Sequence, residues 1–216
     1  MITANLKRRI FTSLSLLFLV FLIFTYNFIL IYSLIILGIL SILEFSQLIK
    51  KIFKKNLYLI LFNCFFIFFV FIFCFIFIFF SNLLSLKLIL FILLVGCIAS
   101  DIGGFVFGKI FKGPKLTKIS PNKTYAGALG SIIFTTTVVS LLFLNILKAF
   151  NFEIMMIGVA TSIFCQLGDL LFSFLKRKAK VKDTGNFLPG HGGVLDRLDG
   201  IFLGIPFGFF SLILLN

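Results

Sequence analysis

Residues 65–80 read FFIFFVFIFCFIFIFF, sixteen consecutive residues without a charge or a proline. They belong to a longer apolar run, and about 20 such residues are what a helix needs to cross the hydrocarbon core of a bilayer. In lipid every backbone polar group must be satisfied inside the protein, which a helix does. Several other stretches of the chain repeat the pattern. With 61% hydrophobic residues, 12% charged residues and a mean hydropathy of +1.21, the chain lies far outside the soluble globular range. The expected fold is all-α, a polytopic membrane helical bundle of about seven transmembrane helices with a polar cavity on the cytoplasmic side. The spans are expected near 10–25, 28–47, 57–80, 87–107, 125–147, 152–175 and 200–215. The thirty-four Phe residues need no special role, because Phe is one lipid-compatible choice among several. Cys64, Cys74, Cys97 and Cys165 lie singly in apolar segments and read as small hydrophobes, not as disulfides or a metal cage.

Charge tests this threading. With a cytoplasmic N-terminus, the inside segments hold Lys7, Arg8 and Arg9, then Lys50, Lys51, Lys54 and Lys55. Next come Lys109, Lys112, Lys115, Lys118 and Lys123, and finally Lys176, Arg177, Lys178, Lys180, Lys182 and Arg197. Only Lys87 and Lys148 of the twenty basic residues fall outside. That asymmetry is what the positive-inside rule expects of a correct helix count. The formal charge of +13 therefore belongs to one membrane face, where topology and anionic lipid headgroups explain it. Nucleic-acid binding is excluded as a reading, since no soluble basic domain carries the charge. Lys7-Arg8-Arg9 precede a long apolar run with no small-residue cleavage site, so that run reads as a span and not as a signal peptide.

The acids are scarce: Glu44, Asp101, Glu153, Asp169, Asp183, Asp196 and Asp199. Glu153 reads as a solvated cap at an external helix end. Asp101 and Asp169 fall inside predicted spans near their cytoplasmic ends. A charge within a membrane costs roughly 2.5–3.5 kcal/mol on insertion scales, so it normally faces a polar cavity or a partner. The structural alternative is an interhelical ion pair with a lysine. Residues 182–200, KDTGNFLPGHGGVLDRLDG, gather three acids, five glycines and the only histidine at the same expected depth.

Two polar cytoplasmic loops, 99–131 and 173–200, mix lysines with Gly and Pro. Glycines let backbone N–H groups approach phosphate oxygens, while Lys and Arg neutralise phosphate charge. Lys123, Lys176, Arg177 and Arg197 are the expected phosphate contacts. Asp196 and Asp199 are three residues apart, so a helical start there would put both carboxylates on one face. Carboxylates beside cations make sense where a divalent metal bridges them to phosphates. The expected metal ligands are Asp169, Asp196 and Asp199, with Asp183 alongside, and the metal is Mg²⁺. His191, between glycines, is open to reading as base, phosphate ligand or structural hydrogen-bonder; it has no second His or nearby Cys for zinc. Ser120 and Ser173 lack a His–Asp relay at recognisable spacing, so a hydrolase triad has no support.

The residues Ser173-Phe174-Leu175-Lys176-Arg177, then Lys182-Asp183, then Leu188-Pro189-Gly190-His191-Gly192-Gly193-Val194-Leu195-Asp196-Arg197-Leu198-Asp199, resemble the signature of the phosphatidate cytidylyltransferases, or CDP-diacylglycerol synthases. SDIGGFVFGKIF and SPNKTYAGALGS look like two further blocks of that family, and QLGDLLFSFLKR like its Gly-Asp helix. LKRRI near the N-terminus and Glu44 also sit where the family has similar residues. Two departures stand out. Ala126 occupies a place usually acidic, and so does Phe172, just before the serine. The resemblance divides the chain into N-terminal transmembrane helices (1–94), where it is weak, and a catalytic core with two cytoplasmic loops (95–216).

The resemblance implies the reaction of CTP with phosphatidate to CDP-diacylglycerol and pyrophosphate, in phospholipid biosynthesis. It implies catalytic roles for Asp169, Asp183, Asp196, Asp199 and His191. It also implies substrate or phosphate contacts at Asp101, Ser120, Lys123, Thr124, Lys176, Arg177, Lys182, Gly192, Gly193 and Arg197. The expected cofactor is Mg²⁺, with a second, monovalent cation as an option. The expected partners are CTP, phosphatidate in the bilayer, membrane lipids and, through the resemblance, a second copy of the chain. The expected location is the cytoplasmic (inner) membrane, with the site facing the cytoplasm. Competing readings are a CTP-dependent polyprenol kinase, a CDP-archaeol synthase, a cation transporter using Asp101 and Asp169, and a non-catalytic scaffold.

Overall fold

The computed structural model describes residues 14, 15, 18–117, 119–185, 187 and 192–215. Among these, the regular elements are helices: α1 (Asn27–Ile52), α2 (Asn56–Ser81), α3 (Leu84–Phe111), α4 (Tyr125–Leu142), α5 (Phe152–Lys178), the single turn α6 (Leu195–Leu198) and α7 (Ile201–Leu215). A π-helical turn, Phe143–Leu147, extends α4. Residues 18–25 are also helical, and Tyr26 breaks the run in an extended conformation before α1. An isolated bridge pairs Lys115 with Thr124.

Six of these segments are long and apolar enough to cross a membrane: α1, α2, α3, Tyr125–Leu147, α5 and Leu195–Leu215. They coincide with six of the seven expected spans. Of the first expected span, 10–25, residues 14, 15 and 18–25 are described, and these are helical. Large side chains such as Phe28, Phe65, Phe71, Phe105 and Leu129 are exposed along the helices. On a soluble protein that would be an aggregation surface; on a spanning helix it is the face that meets lipid. The chain is a multi-pass helical membrane protein.

The chain packs as two compact units. This division by packing is independent of the sequence boundary at 94/95, which rests on resemblance. The first unit comprises Met1–Leu83 and Leu175–Leu198. Here α1 buries Leu30, Ser41, Glu44, Phe45, Leu48 and Ile49 at helical spacing. Phe45 stacks on Phe66 of α2 with ring centroids 3.9 Å apart. One member of that buried stripe, Glu44, is charged in type and only 7% exposed.

The second unit comprises Leu84–Phe174 and Asp199–Asn216. Its tightest contact joins α3 to α4. A methyl group on Gly127 would sit 2.8 Å from the Gly104 carbonyl oxygen, and one on Gly108 would sit 3.2 Å from Thr124 Oγ1. The Gly104-x-x-x-Gly108 spacing lets two backbones approach as membrane helices do. This corrects the sequence reading of 99–131 as one polar loop. Residues 99–111 stay helical, and so do those from Tyr125 onward, because the glycines of both blocks pack helix on helix. Among the described residues, 112–117 and 119–124 form the loop. Gly103 and Gly104 lie inside α3. α5 likewise runs to Lys178, so Asp101 and Asp169 sit deeper in their helices than expected.

On the other side of this unit, Phe164 of α5 stacks on Phe207 of α7 at 3.9 Å. A methyl group on Gly168 would collide with the Asp199 carbonyl oxygen and lie 3.2 Å from Gly200 Cα. Backbone cannot move aside as a flexible side chain can. Gly168→Ala is therefore expected to destabilise the protein by about 1–3 kcal/mol, the usual range for overpacking. The check is a lower thermal midpoint in detergent, with Ala160→Gly as a helix-propensity reference of opposite chemistry.

Candidate active site

In the second unit, the loop between α3 and α4 is built as a tight closed turn. Leu116 N–H donates to the Lys123 carbonyl at 2.8 Å, Tyr125 N–H to the Pro114 carbonyl at 3.2 Å, and Lys123 N–H to the Ser120 carbonyl at 3.1 Å. Thr124 ends the turn as the N-cap of α4, its Oγ1 accepting from Gly127 N–H at 3.1 Å. Folded this way, the SPNKT stretch aims Lys123 at Asp169 of α5, and the two form an ion pair. Both side chains stay about a quarter to a third exposed, 26% and 29%. Ser173 Oγ donates to the other Asp169 oxygen at 3.2 Å.

Around this pair lies a cavity of about 260 Å³, lined among others by Asp101, Ser120, Lys123, Thr124, Gln166 and Asp169. An ion pair of Asp169 with a lysine, the structural alternative, thus forms, but with a loop lysine instead of one on a neighbouring helix, and in an open polar pocket. Behind the pocket a polar seam ties three helices. Ser131 Oγ donates to the Ser100 carbonyl, Ser100 Oγ lies 3.2 Å from Ser162 Oγ, and Gln166 Nε2 donates to Ser162 Oγ at 3.2 Å and to the Ala128 carbonyl at 3.3 Å. Sequence reasoning missed Gln166 and Ser131. A glutamine inside an apolar span was the available signal, since such a group needs partners in the membrane.

In the first unit, Asp196 organises the polar segment after α5. Its Oδ1 takes the Lys176 ammonium at 2.8 Å, and its Oδ2 accepts Thr184 N–H at 2.8 Å and Gly193 N–H at 3.0 Å. The Asp196 side chain is 7% exposed and that of Lys176 12%. Gly192 holds a left-handed φ of +82°, which only glycine adopts without strain, and a methyl group there would press on Asp196 Oδ2 at 3.2 Å. The Gly193 amide, expected to face phosphate, is committed to Asp196. Asp183, Lys182, Arg177 and Arg197 are exposed. His191 lies outside the described residues.

The shared helical face expected for Asp196 and Asp199 does not form. α6 stops at Leu198, and Asp199 lies in the following turn, where its Oδ1 accepts Gly200 N–H at 2.9 Å. Among the described residues, no group of three or more His, Cys, Asp or Glu side chains stands together in metal-binding reach. Mg²⁺, however, is commonly held by one or two carboxylates with water and substrate phosphates completing its shell. The pocket that contains Asp101 and Asp169 fits that donor set. Asp196 carries one ammonium and two amides on its oxygens.

Carboxylates, an ammonium and hydroxyls thus share one polar pocket on apolar helices of membrane-spanning length. The chain belongs to the cytidylyltransferase family, whose model matches residues 2–215. It is 41% identical over 112 residues to a phosphatidate cytidylyltransferase of Helicobacter pylori, covering 52% of this chain and 42% of that protein. Similar figures relate it to proteins of the same name from Bacillus subtilis, 40% over 120 residues (55% and 45%), and Mycobacterium leprae, 39% over 112 residues (51% and 36%). The match spans less than half the length of these relatives.

Proposed function

We propose that this protein transfers a cytidylyl group from CTP to phosphatidate, giving CDP-diacylglycerol and pyrophosphate. The observation that carries the reading is the pocket in which Lys123, Ser120 and Thr124 stand beside Asp101 and Asp169 on membrane-spanning helices. At about 260 Å³ the cavity is just below the usual ~300–1,000 Å³ of ligand sites, a size suited to phosphate groups more than to a whole nucleotide. Three of the named relatives carry the matching activity in their names.

A phosphatidate oxygen attacks the α-phosphorus of CTP; the bond from that phosphorus to the bridging oxygen breaks, and pyrophosphate leaves with the electron pair. The nucleophile is already anionic, so positioning and charge stabilisation do the catalysis. Lys123 supplies positive charge at the phosphates, and the Ser120 and Thr124 hydroxyls orient them. Asp169 holds Lys123 in place before substrate arrives. Asp101 and Asp169 are the residues that would hold Mg²⁺, which when bound supplies neutralisation of the phosphate charge. Lys176, Lys182, Arg177 and Arg197 remain the proposed contacts of the second polar segment.

The test is formation of CDP-lipid by purified protein from labelled CTP, with phosphatidate, a polyprenol and an archaeal lipid acceptor compared. Product with phosphatidate alone is expected; product only with another acceptor would sink the reading. The protein is proposed to act in the cytoplasmic membrane with its site facing the cytoplasm, and a homodimer is the assembly implied by resemblance. A reporter inserted beside Lys54 is accordingly expected on the cytoplasmic side and one beside Lys148 outside. The reverse pattern would overturn the orientation.

A further inference from the structure

A carboxylate in the middle of a spanning helix is expensive unless it has partners. Glu44 of α1 has three. Its Oε1 accepts Val194 N–H at 3.0 Å, and its Oε2 accepts Leu195 N–H at 2.8 Å and the Thr184 hydroxyl at 2.9 Å. Val194 and Leu195 stand at the start of α6, where amides have no acceptor within the helix. Together with Asp196, which takes the Thr184 and Gly193 amides, Glu44 completes a run in which residues 193, 194 and 195 all donate to carboxylates. The packing leaves room for nothing else. A methyl group on Gly185 would lie 2.5 Å from Glu44 Oε1, and one on Gly193 would lie 2.5 Å from Glu44 Oε2.

We propose that Glu44 is a positioning residue for residues 183–185 and 192–197, fixing from the N-terminal helix α1 the backbone beside the proposed phosphate contacts Lys182 and Arg197. It touches no substrate in this proposal; it acts through Thr184, Val194 and Leu195. The proposal rests on the cytidylyltransfer reading for its kinetic consequence, but not for its structural one. It also gives α1 a defined part in the activity.

Glu44→Gln keeps the volume but has a single acceptor oxygen. Whichever way the amide turns, the NH₂ group faces one of the two backbone amides. Glu44→Ala removes both acceptors. The experiment measures hydrogen exchange in peptides covering 184–198 of the full-length protein in detergent, alongside kcat and KM for CTP and phosphatidate. Ser41→Ala, a buried position on the same helix whose hydroxyl bonds only within it at 2.7 Å, is the control.

Faster exchange confined to this segment is expected in both Glu44 variants. A fall in kcat per folded protein of about 10-fold is expected for Gln and about 10²-fold for Ala, the scale of a 1 Å misplacement. Ser41→Ala should match the parent. Unchanged exchange in Glu44→Gln, or a lower thermal midpoint with kcat and KM intact, would overturn the proposal. If the parent made no CDP-diacylglycerol while the exchange effect appeared, positioning would stand and the activity reading would fall. If Glu44→Ala did not fold, Glu44→Gln and Thr184→Val, which removes one donor of three, would decide.

Discussion

Asp169→Asn protein is expected to form CDP-diacylglycerol about 10²–10³-fold more slowly than the parent, the usual cost of losing one charge-stabilising contact in a transition state. The substitution keeps size and one acceptor oxygen, so Ser173 can still donate and α5 should fold. What goes is the negative charge in the pocket that holds Lys123 and, with Asp101, would hold Mg²⁺. The two losses differ in their signature. If Asp169 served only to aim Lys123, Asp169→Asn and Lys123→Ala would fall by similar factors, with the Mg²⁺ requirement unchanged. If it also bears on the metal, the Mg²⁺ concentration for half-maximal rate should rise in Asp169→Asn and stay put in Lys123→Ala. Near-parental turnover by Asp169→Asn would remove the pocket from the reaction altogether.

The spans were legible because lipid imposes one rule on every helix, and FFIFFVFIFCFIFIFF obeys it without help from the rest of the chain. The acids were legible as a set for the converse reason: in so apolar a sequence each one needs a partner. Which partner was not legible. Asp196 and Asp199 look alike in the sequence, yet a helix that ends at Leu198 separates a buried acceptor of amides from a turn residue. Glycines misled in a similar way. Gly104 and Gly108 stand in a stretch with the composition of a phosphate loop, but their four-residue spacing serves the approach of α3 to α4. Glu44 drew notice only through resemblance, because its three donors lie some 140–151 residues away in sequence and no local pattern announces them.

Asp196→Asn should be as damaging as Asp169→Asn, for a different reason. The Asp196 carboxylate is 7% exposed and bound on one oxygen by the Lys176 ammonium, on the other by two amides. Asparagine offers one carbonyl oxygen and one NH₂ group. If the oxygen keeps the two amides, the NH₂ group is set against the Lys176 ammonium, two donors facing each other. If it keeps Lys176, the Thr184 and Gly193 amides are left facing a donor. A buried donor without its acceptor costs about 1–3 kcal/mol, and more when charge is involved. Either arrangement loosens the segment that carries Asp183 and Arg197, and a loss of roughly 10²-fold or more in kcat is expected. Because no step assigns a metal to this carboxylate, the Mg²⁺ dependence of the residual activity should match the parent's. Faster hydrogen exchange in 184–198 should accompany the loss. A tenfold or larger rise in the Mg²⁺ requirement, with exchange in that segment unchanged, would return Asp196 to the metal and displace the positioning role argued from its hydrogen bonds.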